Sequence, residues 1–367
     1  MKQQLFLCNS VYQIFVALWI KYYYYSDSKS DIIISDHMNQ GEKLADKIKV
    51  LGIFENVYYV RTLDFAKFKV KLNRTQRIRA SLFPNGMLHH FVDLRGKYSQ
   101  LYIANVDYFS QLLFDALAHR NSEIKLNIFE DGMFTYSRLY EKDYQSTYIP
   151  VTNVIKRFLH TCVYRKRTIF GHVNEMLMFN PGNMVWQPDF HVTALEKVRR
   201  EDEHFREICN QAFSFYESSD VYDKKYIFLE ESFFAEGAKL DDLEVVNKIA
   251  DKVGHKNIMV KIHPRNPINR FEKLGIKTNH DTSIPWEVIL MNTDFSDKVL
   301  ITVSSSSILN PRLIFGQFVK AYSIYECVDH EHCDSRLLSG EMWEIASRLF
   351  EKYNDMITIC QTVSEIE

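Results

Sequence analysis

The sequence predicts an α/β protein made of two halves, each a parallel sheet flanked by helices. Three observations predict it. Apolar runs of strand length alternate with amphipathic runs of helix length through the first third of the chain. The same alternation restarts after Tyr216 to Lys225, a polar stretch without periodicity. The chain has 367 residues, more than one hydrophobic core usually serves. These place an N-terminal Rossmann-like domain at 1–215 and a C-terminal one at 226–367.

In the first half, Leu5–Cys8 reads as a strand. Asn9-Ser10 reads as a turn whose serine caps a helix carrying Ile14, Leu18 and Trp19 on its apolar stripe. Ile32–Ser35, Val57–Val60, Leu101–Ala104 and Leu126–Phe129 read as further strands, and Gly41–Leu51 and Tyr108–Leu117 as helices. The alternation weakens between Tyr140 and Pro188, and Val192 to Phe213 reads as one long charged helix. In the second half, Tyr226–Leu229, Ile258–Ile262, Val299–Val303 and Phe318–Tyr322 read as strands. Asp241–Val253, Trp286–Met291, Pro311–Phe315 and Gly340–Tyr353 read as helices. Two such domains with a ligand cleft between them form the GT-B arrangement.

Composition excludes several classes. Hydrophobic residues make up 46% and charged residues 25%, an ordinary globular balance. The net charge of -2 gives no footing for nucleic acid. The six cysteines are scattered without a CxxC pair, which suits reduced thiols and a cytoplasmic location. The apolar run Leu5 to Ile20 is broken by Asn9, Ser10, Tyr12 and Gln13. It reads as strand plus helix, not as a signal peptide or a span.

Three short motifs follow predicted strands, where open α/β sheets bind ligands. Glu130-Asp131-Gly132 follows the first. Gly132 permits a turn with positive φ, and Asp131 then serves as a base for a hydroxyl or merely bonds its own backbone. Lys261-Ile262-His263-Pro264 follows the second. Pro264 holds His263 extended, as a donor or acid toward a phosphate or as an ordinary surface histidine. Ser304, Ser305, Ser306 and Ser307 follow the third; their hydroxyls and free backbone N–H groups make an anion site or a plain cap. Asp241 and Asp242 open a helix, as dipole-matching acids or as alternative bases. Asp329 to Asp334 holds metal-ligand residue types without paired spacing, so no metal is expected there. The chain has no Asp-x-Asp, GxGxxG or GxxxxGK[ST], which argues against a metal-dependent diphosphate donor and against an NTPase.

These motifs, in this order, resemble those of bacterial sialyltransferases, above all glycosyltransferase family 52, the lipooligosaccharide and capsule sialyltransferases. Phe129-Glu130-Asp131-Gly132, Lys261-Ile262-His263-Pro264 and the run from Ser305 through Asn310-Pro311-Arg312-Leu313-Ile314-Phe315-Gly316 are similar to that family's blocks. So is the opening Leu7-Cys8-Asn9-Ser10-Val11-Tyr12-Gln13, although the family's first turn often reads Thr-Pro where Asn9-Ser10 stands here. The resemblance implies a GT-B fold and metal-independent, inverting transfer of sialic acid from CMP-sialic acid to a terminal sugar such as galactose, with no cofactor. It makes Asp131 the base, His263 the acid or phosphate donor, and the serines the phosphate holders. Glu130, Gly132, Asn9, Ser10, Lys261 and Pro264 surround the substrates, with Asp241 and Asp242 as alternative bases. The implied partners are a nucleotide sugar and a glycan or glycolipid acceptor at the inner face of a bacterial membrane. A homodimer and peripheral contact with anionic lipid complete the expectation, and another donor such as glucose, or a non-catalytic binding role, is the alternative.

The segment from Lys67 to Arg79 carries Lys67, Lys69, Lys71, Arg74, Arg77 and Arg79 without an acid. It reads as a solvated face or as an attachment to anionic lipid, where each such cation is worth about 1 kcal/mol. On the second reading, changing Lys69, Lys71, Arg74 and Arg77 together to Gln weakens salt-sensitive sedimentation with anionic vesicles. Equal sedimentation of mutant and wild type returns the segment to the first reading.

Overall fold

The computed structural model describes residues 3–38, 40–73, 75–76, 83–141, 172–217, 221–238, 240–329 and 340–367. The chain divides into two compact units. The first is Met1–Asp131 with Arg138–Leu195, and the second is Gly132–Ser137 with Glu196–Glu367.

The first unit holds a parallel sheet of β1 (Gln3–Cys8), β2 (Ser30–Ser35), β3 (Asn56–Val60), β4 (Tyr98–Ile103), β5 (Lys125–Phe129), β6 (Val173–Met178) and β7 (His191–Ala194). Their order is β3-β2-β1-β4-β5-β6-β7. This is the doubly wound Rossmann order with one strand added, and it reverses between β1 and β4. β1 and β2 are apolar on both faces because helices cover both. The helices are α1 (Val11–Tyr24), α2 (Gly41–Leu51), α3 (Thr62–Lys71), α4 (Pro84–His89) and α5 (Tyr108–Arg120). Two of them begin on caps at the strand ends. Ser10 accepts from the Gln13 N–H at 3.1 Å to start α1. Asp107 and Ser110 form a reciprocal capping box that starts α5.

The second unit repeats the plan. Its strands are β8 (Tyr226–Leu229), β9 (Ile258–Lys261), β10 (Lys277–Thr278), β11 (Val299–Thr302), β12 (Lys320–Ser323) and β13 (Ile357–Ile359). They lie parallel in the order β10-β9-β8-β11-β12-β13. Counted from β8 this is again the Rossmann order, reversing between β8 and β11. The helices are α6 (Glu203–Ala212), α7 (Asp242–Val253), α8 (Trp286–Asn292), α9 (Asn310–Phe315) and α10 (Gly340–Lys352). One core runs from Phe228, Val260 and Ile301 on the sheet to Val246 and Ile249 of α7.

The fold bears out two Rossmann-like halves, and it corrects some boundaries. Val192 to Phe213 is not one helix: β-branched Val192 and Thr193 pair with Met176 and Leu177 of β6, and only Glu203–Ala212 coils. The units divide after Leu195 rather than within the polar stretch 216–225. The reason is that α6 packs in the second unit, where Asn210 and Asn292 of α8 exchange side-chain amide hydrogen bonds of 3.0 and 2.6 Å. Phe228→Ala empties a fully buried site in this unit's core. It lowers unfolding free energy by about 3–5 kcal/mol in a denaturant titration.

Candidate functional site

In the first unit the chemistry-bearing residues gather where the strand order reverses. The ends of β1, β4 and β5 deliver Asn9, Asn105 and Asp131 to the carboxyl edge of the sheet, the position at which such sheets bind ligands. Both oxygens of Asp131 are engaged. Gln13 Nε2 donates to Oδ1 at 2.8 Å, and Asn105 Nδ2 donates to Oδ2 at 2.7 Å. Gln13 is itself buried in the first turn of α1 and is fixed through its other end, because its Oε1 accepts from the Asn9 N–H at 2.6 Å. Asn9 Nδ2 reaches Asp107, the cap of α5, at 3.3 Å. The carboxylate is thereby oriented by neutral amides from the start of α1 and the end of β4, and remains half-buried. Its negative charge adds to burial in pushing the Cys8 thiol well up, so Cys8 is inert.

Glu130 has the opposite character. It is buried, and its oxygens accept from the Tyr12 hydroxyl and the Phe179 N–H, both at 2.9 Å. It ties β5 to α1 and to the end of β6. Of the two adjacent acids, Asp131 is the one left half-buried at the sheet edge. Gly132 has φ +69, so it takes the left-handed turn that the sequence suggested.

In the second unit, β8 ends in two buried acids, Glu230 and Glu231, whose carboxylates each organise a different loop. Glu230 accepts from the His263 N–H at 3.0 Å and from Arg270 Nη2 at 2.8 Å. Arg270 also binds both oxygens of Asp242 at 3.0 and 2.6 Å and lies 4.9 Å from the Phe234 ring centroid. Asp242, an alternative base by sequence, is thus half of a buried ion pair that anchors α7 beneath the His263 loop. Asp241 accepts from the Asp329 N–H at 2.8 Å, and so helps fix the end of the β12 loop.

His263 follows β9. The turn closes with the Asn266 N–H on the His263 carbonyl at 3.0 Å, with Pro264 at its second position. Nδ1 accepts from the Arg265 N–H at 3.1 Å, so the neutral ring carries its proton on Nε2. Burial, Arg265 and Lys261 push this imidazole down to about 3. Around neutral pH the free protein therefore presents a neutral N–H donor and not an imidazolium.

The serine run differs from expectation in one respect. The N–H groups of Ser304 and Ser305 are not free: they donate to Glu231 Oε1 at 2.7 and 2.9 Å. The Thr302 hydroxyl donates to the same oxygen at 2.6 Å. Ser305 Oγ accepts from the Ser307 N–H at 3.2 Å and donates to Ser307 Oγ at 3.0 Å. Behind the loop, Trp286 Nε1 donates to the Ser307 carbonyl at 3.0 Å, and Asn310 donates to the buried Glu287 at 2.6 Å. The half-buried side chains of Ser305, Ser306 and Ser307 line the loop.

Of the predicted residues, Asn9, Ser10, Glu130 and Asp131 thus stand together at one switch point. Lys261, His263, Pro264 and the serines stand around the other. Sequence reading missed Gln13, Asn105, Glu230, Glu231 and Arg270. The strand-end rule that found Asp131 finds Glu230-Glu231 too when applied to Tyr226–Leu229. Nothing local marks Gln13, Asn105 or Arg270. Among the described residues no cluster of His, Cys, Asp and Glu is set to hold a metal ion. His330 to Asp334 lie outside the described residues, as do Arg74, Arg77 and Arg79 of the basic segment. Within that segment Lys67 is exposed, 3.6 Å from Asp64 of the same helix.

A pair of Rossmann-like sheets, each with its polar residues at the switch point, is the make-up of a GT-B glycosyltransferase. The model of the Alpha-2,8-polysialyltransferase (POLYST) family matches residues 4–322, and the chain belongs to that family. The sialyltransferase resemblance is borne out at this level. No curated protein matches the chain. Among solved structures, the chain is similar to MurG of Acinetobacter baumannii, at 10% identity and a TM-score of 0.46, covering 100% of this chain and 88% of that one. It is also similar to Arabidopsis thaliana UGT89C1 complexed with UDP, at 8% identity and a TM-score of 0.49, covering 98% and 84%. No helix among the described residues is long and apolar enough to cross a membrane.

The Arg270 cluster makes a direct prediction. Arg270→Met leaves Glu230 and Asp242 as buried carboxylates without their cation and destabilises the protein by about 3–5 kcal/mol in urea. In a double-mutant cycle, adding Asp242→Asn to Arg270→Met has a much smaller effect than Asp242→Asn alone. Additive losses show that the three groups are not coupled.

Proposed function

We propose that the protein transfers sialic acid from CMP-sialic acid to a cell-surface glycan, with inversion and without a metal. The observation that carries this reading is the family match across residues 4–322. The residues support it. Asp131, held by two amide donors, accepts the proton of the acceptor hydroxyl as the oxygen attacks the anomeric carbon. The bond from that carbon to the phosphate oxygen breaks, and CMP leaves with the electron pair. The Nε2–H of His263 and the hydroxyls of Ser305, Ser306 and Ser307 donate to the departing phosphate. The neutral ring donates this hydrogen bond without giving up its proton, because burial, Arg265 and Lys261 hold its imidazole down at about 3.

The acceptor is a lipooligosaccharide or capsule glycan at the cytoplasmic side of a bacterial membrane. Two terminal sugars fit this reading. The resemblance to lipooligosaccharide enzymes favours galactose, and the family name, with its α-2,8 linkage, favours a terminal sialic acid.

Release of CMP from CMP-sialic acid in the presence of galactose-terminated and sialic-acid-terminated oligosaccharides tests the reading. CMP raises the melting temperature and UDP does not, and EDTA leaves turnover unchanged. His263→Ala lowers kcat by roughly 10²–10⁴-fold. Asp131→Asn loses turnover while CMP still binds. Stabilisation by UDP alone, or loss of turnover in EDTA, rules the assignment out.

A further inference from the structure

The serine loop is built around an anion that belongs to the protein. Glu231 Oε1 gathers one hydroxyl and two backbone N–H groups: Thr302 at 2.6 Å, Ser304 at 2.7 Å and Ser305 at 2.9 Å. Its own carbonyl is held by Asn266 Nδ2 at 2.9 Å, from the turn that carries His263. One buried residue therefore fixes the serine loop through its side chain and the His263 loop through its backbone. Ser305 gives its N–H to Glu231, and its hydroxyl goes to Ser307. A phosphate received by these serines thus shares their loop with a carboxylate. Two like charges at such spacing disfavour one another in a buried site.

We infer that Glu231 is the positioning residue of the nucleotide site and that binding of the phosphate there is coupled to uptake of one proton by Glu231. This inference rests on the reading of the serine loop as the phosphate holder. A neutral Glu231 still offers Oε1 to its three donors and no longer repels the ligand. The group is poised for this, since burial, opposed by Thr302 and the serine N–H groups and helped by Asp242, pushes its carboxyl up to about 7. Glu287 of α8, behind the serine loop, is a second buried carboxyl that burial pushes up, and Glu231→Gln tells the two apart. Asp242 of α7 and Glu230 are paired with Arg270, and Arg265, beyond β9, donates to Ser232 Oγ at 3.0 Å. His263 is uncharged near neutrality, Lys261 stands at the end of β9, and β11 with its serine loop brings no ionisable side chain.

The sign follows. Below about pH 6 Glu231 is already protonated in the free protein, so binding takes up no proton there. Above about pH 7.5 the free residue is ionised, and binding draws a proton from solution. Affinity then falls by up to about tenfold per pH unit, the limit for uptake of one proton. The experiment titrates the 5′-methyl ester of CMP into the full-length protein by calorimetry from pH 5.5 to 9. This phosphodiester has no proton to gain in that range. Wild type takes up close to one proton at pH 8, seen in two buffers of different ionisation enthalpy, and Glu231→Gln takes up none and binds with an affinity that does not change between pH 7 and 9. Uptake confined to below pH 6 assigns the proton to His263 and overturns the inference. So do parallel affinity profiles for wild type and Glu231→Gln. If Glu231→Gln does not fold, the pH window of the wild-type uptake decides alone. No binding of the ester or of CMP at any pH overturns the nucleotide reading, and this inference with it. Tight binding without uptake at pH 8 overturns only this inference.

Discussion

Two consecutive glutamates at the end of one strand hold the second unit's chemistry together. Strand geometry sends Glu230 and Glu231 to opposite faces of the sheet. One carboxylate therefore reaches the His263 backbone and Arg270, while the other reaches Thr302, Ser304 and Ser305. The β8 position makes this possible. β8 lies between β9 and β11, the strands whose ends carry the histidine and the serines. A buried carboxylate is expensive without partners, so each must collect donors, and the donors nearest are the backbones of the two neighbouring loops. Desolvation thereby becomes a device that shapes both loops.

The first unit solves a similar problem with neutral groups. Asp131 is oriented by the amides of Gln13 and Asn105. Two amide donors, one from α1 and one from the end of β4, fix the direction of its carboxylate at the sheet edge. The neighbouring Glu130, buried and bonded to Tyr12 and Phe179, has become framework.

The legible part of the site is the part that is local. Glu130-Asp131-Gly132, His263-Pro264 and the serine run announce themselves because they follow apolar strands, and strand ends at a switch point face a ligand. The distinction between neighbours was not legible. Asp131 and Glu130 are adjacent acids with opposite roles, and Asp242 reads as a possible base until Arg270, many residues away, is seen to bind both its oxygens. Likewise the serine N–H groups look available until Glu231 is seen to occupy them.

The sequence by itself determined two Rossmann-like halves and the positions where their strands end. Hydrophobic period and strand length are properties of short windows, and parallel strands buried on both faces leave a strong apolar record. It missed β6, β10 and β13 and merged β7 with α6, because short or mixed strands are held by their neighbours more than by their own composition. Only the tertiary structure decided which acid is framework and which stays half-buried at the sheet edge, which histidine nitrogen carries the proton, and what anion the serine loop already holds. The physical reason is that burial and hydrogen bonding set a polar group's role. Both come from residues distant in the chain: Gln13 and Asn105 for Asp131, Glu230 for His263, and Glu231 for the serines.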